Sequence, residues 1–507
     1  MKYFYYLCIA CIAYGIYLFA YHLLLGDLLF HTDIARDFLL IQDVAVNHRF
    51  TLIGPRAGGI PGTFFGPIWI YLNLPAFLIG NGNPLVIGYF WLLLMIFGLG
   101  AVFYSAKKVF GYEVAILSTT IFTFTITFLA PGFTQSFGPI VVAPILLYTM
   151  YLFIEKKHIR YLCWSAVLSG LLIQFQPAFG SIVLFLTFVL SLGILIKRKS
   201  LQYQLVWFLA FLPLSTYVIF ELRHNFLETR ALYTFIFHHN SNAFQQVTYP
   251  EVAHNRLEGF LDSINFLSMN TTSINSFFVL LNFIILSLWA NTKKSGQRTF
   301  ILLIYFYLIG FWLITFLFKG TVWNYYYWGL YPLLAIAFGS LFLKIDKRFF
   351  LLIFILFMTV MITNGYNTVK GWQDGIYAKD TSSWIINKEV AELVYNDAHS
   401  DFGYYVYSPD IFGYSKKYAM SYIGMTGIYP MKSYLCTKKP TTYIIYESTP
   451  PGSHTDPVFW KTASVSIKTK PVWRKQIHTV IIEKYQLTAK QVEQPSDPTM
   501  ICGLEWR

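Results

Sequence analysis

Charge is scarce in this chain. Only 12% of its 507 residues are Asp, Glu, Lys or Arg, where a soluble protein of that size carries about a quarter. That is too little to coat a water-facing surface, which excludes an ordinary soluble globular protein. Cysteine is sparse as well, and the five present show no zinc-site spacing. Neither a Walker lysine nor a nucleophile elbow occurs, so ATP-driven, metalloprotease and serine-hydrolase readings have no motif to rest on. Internal repeats and low-complexity tracts are missing.

What is abundant is apolar: 56% of residues are hydrophobic and 19% aromatic, with a mean hydropathy of +0.50. Apolar blocks fall near 4–25, 84–105, 113–129, 138–154, 161–176, 180–196, 201–220, 275–290, 299–318, 323–343 and 348–363. Most run to roughly 17 to 22 residues, enough to cross a hydrocarbon core of about 30 Å. The chain reads as a polytopic α-helical membrane protein with about eleven transmembrane helices. The first block, "YFYYLCIACIAYGIYLFAYHLLL", is too long for a signal-peptide core and has only Lys2 before it. No small-x-small cleavage site follows, so it reads as an uncleaved first helix.

The net charge of +13 would suit nucleic acid, but the basic residues gather in short turns between apolar blocks. These are the turn with Lys107 and Lys108, "EKKHIR", "KRKS", "NTKKSGQR" and "KIDKR", and each follows an even-numbered block. The positive-inside rule then puts the N-terminus in the cytoplasm of a cell-membrane protein. Segments 26–83, 221–274 and everything after about 364 fall outside. Within the first, "GTFFGPIWIYLNLPAFLIG" tempts as another span. Counting it would move every basic turn outside, and Pro67 and Pro75 interrupt it, so an interfacial or re-entrant helix is expected. "DFLLIQDVAVNH" reads as an amphipathic segment in the headgroup plane.

Residues 366–507 are of different composition. "SSWIINKEVAELVYNDA" has helical periodicity, while "GYYVYS", "TTYIIYES" and "HTVIIEKYQL" read as strands, giving an extracytoplasmic α/β domain after a membrane domain over 1–365. Cys8, Cys11 and Cys163 are expected as small buried hydrophobes. Whether Cys436 and Cys502 pair is left open. "NTT" at Asn270 matches a glycosylation sequon, a tripeptide common by chance.

Charged residues cluster in "FHTDIARDF". Asp33, Arg36 and Asp37 share one face if a helix runs through them. Two carboxylates one turn apart repel, so a cation is expected between them: Arg36, another loop's arginine, a lysine or a metal. Three charges capping a helix at the headgroups fit the same residues. "FELRHNF" adds Glu221, Arg223, His224 and Asn225, and His238, His239, His254, Arg256, Glu258 and Asp262 follow. "GPRAGG" adds Arg56. Arginines grip phosphate oxygens as a bidentate fork, and a carboxylate can take a proton from a nucleophile. Together they suit a phosphate-bearing amphiphile, although each alone also suits a headgroup contact or an exposed loop. The spans hold almost no ionisable residues in their interiors, which argues against an ion-coupled transporter.

"DIARD", "FFGPIWIY" and "ELRHNF" together resemble the GT-C superfamily of integral membrane glycosyltransferases, over about residues 1 to 365. The nearest branch is that of bacterial protein O-mannosyltransferases and aminoarabinose transferases, family 39-like. The resemblance implies an inverting glycosyltransferase that moves a sugar from a polyprenyl-phosphate donor to an acceptor lipid, protein or glycan on the outer face of the membrane. Nucleic acid has no part. Asp33 aligns with the first-loop aspartate that acts as catalytic base or organises the acceptor, and Arg36 with the basic residue after it. The substrate-binding candidates are Arg36, Asp37, Arg56, Tyr71, Arg223, His224, Asn225 and Tyr327.

This chain also departs from the pattern. Where relatives carry a second acid it has Ile34, with Asp37 the nearest substitute. "FFGP" replaces an acid and a lysine, which leaves any divalent metal unassigned and makes Arg56 or Arg223 the replacement cation. "NYYYWGLYP" is similar to the family's tyrosine-proline segment over the lipid phosphate, and equally to an interfacial aromatic belt. Two other classes remain compatible. A lipid-linked glycan translocase or polymerase predicts a hydrated, charge-lined central cavity. A non-enzymatic membrane assembly protein predicts that the α/β domain alone does the work.

Overall fold

The computed structural model describes residues 2–58, 60–129, 132–237, 248–264, 272–293, 295–318, 320–372, 382–447 and 456–504. Helix α1 (Lys2–Leu24) is followed by α2 (Thr32–Asn47) and α3 (Ile68–Ile79), then α4 (Pro84–Phe110), α5 (Tyr112–Thr125), α6 (Gly138–Lys156), α7 (Ile159–Phe175) and α8 (Pro177–Lys197). A 3-10 segment, Leu201–Ala210, runs into α9 (Phe211–Arg223). After α10 (Leu227–Phe237) and α11 (Tyr249–Ile264) come α12 (Thr272–Ala290), α13 (Gly296–Thr315), α14 (Tyr331–Gly339) and α15 (Lys347–Trp372).

Every apolar block read from the sequence falls on helix. Among the described residues, seven helical stretches are long and apolar enough to cross a membrane by length and composition, and four shorter apolar helices accompany them. The protein is a multi-pass membrane protein. Helix boundaries follow local chemistry: Asn83 caps α4, its side chain accepting the Leu85 N–H at 3.0 Å with Pro84 at the first helical position, where a proline loses no hydrogen bond. Pro75 lies inside α3, which is 12 residues long, too short to span.

Helix α5 lies at the centre of the bundle. It is buried from Val114 to Thr125 and packs against α1, α4 and α14. Such a helix cannot send hydroxyls to water. Thr119, Thr120 and Thr123 instead donate to the carbonyls four residues back, each at 2.8 Å. Gly339 lets α14 approach closely, since a Cβ there would sit 2.3 Å from the Ser118 hydroxyl. Small residues at helix contacts serve that purpose in membranes.

Beyond α15 lie α16 (Trp384–Asp397), α17 (Tyr414–Met425) and strands β1 (Phe402–Tyr407), β2 (Ser433–Leu435), β3 (Thr441–Tyr446), β4 (Trp473–Ile477) and β5 (Val480–Gln486). The sheet order is β2-β1-β3-β5-β4. β1 runs parallel to β2 and β3, whereas β5 is antiparallel to β3 and β4. The helix and three strands read from the sequence are α16, β1, β3 and β5. Cys436 and Cys502 form a disulfide with a Cα–Cα distance of 5.8 Å.

This small sheet domain is joined to the bundle through α2. Phe38 lies 5.2 Å from the Tyr418 ring and Phe30 5.0 Å from Trp384. Tyr418 donates its hydroxyl to the Gly82 carbonyl at 2.5 Å. Buried Asp27 accepts from the Ser383 hydroxyl at 2.7 Å and the Ile385 N–H at 3.1 Å. The amphipathic stripe of α2 is therefore real, but protein covers it: α3 and α17 pack on this helix. The apolar spacing is the same whether lipid or another helix receives it.

Candidate active site

The first turn of α2 organises the carboxylates. His31 is extended and caps the helix, its Nδ1 accepting the Asp33 N–H at 3.2 Å. Helical geometry then brings Asp33, Arg36 and Asp37 to one face, and Arg36 is the cation between the acids. Its Nη1 lies 2.9 Å from Asp33 Oδ1 and its Nη2 3.0 Å from Asp37 Oδ1, with Nε donating to the same Asp37 oxygen at 3.2 Å. The two acids differ in exposure. The Asp33 side chain is 59% exposed, whereas Asp37 is buried. Burial pushes the Asp37 carboxyl up to about 6, with Arg36 pulling the other way. Burial also works against the charge on Arg36, but Asp37 and then Asp33 outweigh it and raise its pKa.

Three groups that the sequence reading did not single out face this cluster. Tyr325 lies within electrostatic reach of both Asp33 and Arg36. Tyr414, at the start of α17, acts on Arg36. The Thr32 hydroxyl donates to Asp410, so the sheet domain touches the turn that carries Asp33. "NYYYWGLYP" did signal a tyrosine. Of Tyr325 and Tyr327, the former is the one within electrostatic reach of Asp33 and Arg36; Tyr327 is buried with its ring 5.4 Å from that of Trp312.

The arginine-rich candidates form a second corner. Helix α9 ends at Arg223, and Asn225 and Phe226 adopt positive φ (53° and 60°) to turn into α10. Glu221 caps α10 by accepting the N–H groups of Glu228 at 2.8 Å and Thr229 at 2.9 Å. Glu228 is buried and accepts the Phe64 N–H at 2.7 Å, while Tyr217 donates to the Phe64 carbonyl at 2.9 Å. These bonds pin the hairpin that carries Arg56, in which Gly54 N–H donates to Phe65 at 2.7 Å. Burial pushes Glu228 up to about 7, and Glu221 adds to it. Arg56 and Arg223 are exposed, and neither guanidinium has a hydrogen bond or ion pair among the described residues. The His224 ring stacks on Phe220 at 4.2 Å. Tyr71 donates to the Thr51 carbonyl at 2.6 Å and accepts its N–H at 3.0 Å, fastening the chain after α2.

The remaining charged candidates separate further. Arg256 is buried and donates to the carbonyls of Thr315, Phe318 and Gly320 at 2.6–3.1 Å, closing the end of α13. His254 pairs with Glu258 at 3.2 Å on an exposed face. His238, His239 and Asn270 lie outside the described residues. Among the described residues no group of three His, Cys, Asp or Glu side chains could hold a metal ion. No hydrogen bond or ion pair joins the Asp33 group to the Arg56–Arg223 corner among those residues.

No protein-family model matches the sequence, and no curated protein matches it. Among solved structures the chain is similar to the crystal structure of ArnT from Cupriavidus metallidurans bound to undecaprenyl phosphate. The two share 9% identity over 96% of this chain and 99% of that one, with a TM-score of 0.61. The apo state of the same protein matches over the same shares with a TM-score of 0.60. The apo oligosaccharyltransferase of Archaeoglobus fulgidus matches at 13% identity, over 82% of this chain and 64% of that one, with a TM-score of 0.44. End-to-end superposition on ArnT shows that the two chains share a fold, a helical membrane bundle closed by a small sheet domain.

Proposed function

From this GT-C fold we propose that the chain is an inverting glycosyltransferase, moving a sugar from a polyprenyl-phosphate donor to an acceptor hydroxyl at the outer face of the membrane. One observation carries the proposal: Arg36 holds two carboxylates, one buried and one open. Asp33 is the base, because its side chain reaches solvent and its position is set by a charge-assisted bond. The acceptor hydroxyl gives its proton to Asp33 as its oxygen bonds to the anomeric carbon. The bond from that carbon to the phosphate oxygen breaks, and polyprenyl phosphate leaves. Attack from the side opposite the leaving group inverts the configuration.

Negative charge grows on the departing phosphate, so exposed cations without partners among the described residues are suited to meet it. Arg56 and Arg223 have that character, whereas Arg36 is already held by Asp33 and Asp37. Tyr325 adds a hydroxyl on the acid side. Asp37 keeps the Arg36 fork in place, Tyr71, His224 and Asn225 shape the loops that carry these groups, and Tyr327 supports the turn that carries Tyr325. The superposition on a protein crystallised with undecaprenyl phosphate supports a lipid-linked donor. We assign residues 1–365 to the transferase domain and 366–507 to an outer α/β domain, with the N-terminus in the cytoplasm. The basic turns support that orientation, and so does the Cys436–Cys502 disulfide, which suits an oxidising compartment.

Mass spectrometry of the lipid that copurifies with the protein tests the reading. A polyprenyl phosphate, free or glycosylated, is expected. Ordinary phospholipid alone, from protein that also transfers no sugar from a polyprenyl-phosphate donor, would overturn it.

A further inference from the structure

We propose that Asp410, in the sheet domain, is a positioning residue that holds the first turn of α2, and thereby Asp33, in place. Its catalytic consequence rests on the transfer reading above. The loop between β1 and α17, together with the first turn of α17, reaches the start of α2 at successive points. Ser415 donates its hydroxyl to the Phe30 carbonyl at 2.8 Å, Thr32 donates to Asp410, and Tyr414 lies within electrostatic reach of Arg36. Thr32 is the first residue of α2 and precedes Asp33 directly.

The loop is built to hold that carboxylate still. Asp410 Oδ1 accepts the N–H groups of Phe412 and Gly413, both at 3.0 Å, which leaves Oδ2 for Thr32. Burial works to raise the Asp410 carboxyl, but the bonds from Gly413, Thr32 and Phe412 outweigh it and hold it below its ordinary value. Between these contacts Ile411 takes φ 63°, a left-handed conformation that a β-branched residue adopts only when its surroundings impose it. Both ends of the loop are anchored to the end of β3. Fully buried Lys416 lies 2.5 Å from Glu447, and Glu447 accepts the Ser408 hydroxyl at 2.5 Å. Breaking that pair would leave a buried lone charge, so the loop is held in place.

The physical need is local. The first N–H groups of a helix have no partner inside it, and helix ends fray. A base displaced by about 1 Å can lose about a hundredfold in rate. Here the sheet domain supplies an external hold at the residue before the proposed base.

The test uses full-length protein in lipid nanodiscs, with Thr32→Val, Thr32→Ser, Asp410→Asn and the Thr32→Val/Asp410→Asn double variant. Amide hydrogen exchange over residues 35–38 should speed up by about tenfold in Thr32→Val and Asp410→Asn, with exchange in α16 and the sheet unchanged. Their kcat should fall about tenfold or more while donor KM stays within about twofold. Thr32→Ser, which keeps the hydroxyl, should restore both readouts, and the double variant should be no worse than either single one. Unchanged exchange at 35–38, additive losses in the double variant, or faster exchange across the whole sheet domain would overturn the hold. Wild-type protein that transfers no sugar while exchange behaves as expected would overturn the transferase reading and leave the hold standing.

Discussion

At the start of α2 two carboxylates share one arginine; at the α9–α10 corner two carboxylates hold backbone N–H groups and two arginines have no partner among the described residues. The residue types are the same, and the roles are exchanged. In the first region the cation is tied down and an acid faces outward. In the second the acids are tied down and the cations face outward. A transferase acting on a phosphate-linked sugar needs one region of each kind, a proton acceptor and a grip for an anion. What a charged side chain can do thus depends less on its type than on whether the fold has already used its hydrogen bonds.

The largest expected effect strikes the acid side. Asp33→Asn should lower sugar transfer by about 10²–10⁴-fold while the thermal midpoint stays put, because the side chain is exposed. An equal loss from Glu221→Gln would erase the contrast, since that residue serves only as a cap. Next come the free cations. Arg56→Ala and Arg223→Ala should each reduce kcat/KM by roughly ten- to a hundredfold, the loss of a charge-assisted bond worth about 1.5–3 kcal/mol. Neither should change the melting temperature, and a marked drop would show that these arginines hold the fold instead.

The smallest effect concerns Glu228, whose buried carboxyl titrates at about 7 rather than 4.5. A raised pKa means that the folded state binds the proton more tightly. Its contribution to stability is then complete below about 4.5 and is lost as pH rises through about 7. Glu228→Gln can still accept the Phe64 N–H but cannot ionise. The variant should match wild type near about pH 4 and melt higher near about pH 8. Wild type melting higher than the variant at the alkaline end would refute the buried-acid account of this corner.

Much of this architecture was legible before any coordinates. The apolar blocks became helices because bilayer thickness sets their length and intrahelical bonds satisfy their backbone. Asp33, Arg36 and Asp37 could be read as one cluster because their spacing is a property of a single helix. Helix α17 was not legible: "YSKKYAMSYIGM" carries two lysines that look solvent-facing. Both are buried, Lys416 against Glu447 and Lys417 donating to the Ile501 carbonyl at 2.9 Å. Strand β2 has three residues, too few for a period to show. Tyr325 and Tyr327 stand two apart in a run of 3-10 turns, and only docking decides which of them comes within electrostatic reach of Asp33. Arg256 and Arg223 look interchangeable in the sequence, yet one closes a helix end and the other has no partner among the described residues.

What the sequence alone determined is whatever one segment and its solvent settle between them: which stretches are helical and apolar enough for a bilayer, and which charges share a helical face. The tertiary structure decided which of those charges stay available. Availability depends on desolvation and on hydrogen bonds from residues far away in the chain, as when Asp410 meets Thr32 or Glu228 meets Phe64. Those contacts are short-ranged and directional, so they exist only once the helices have packed.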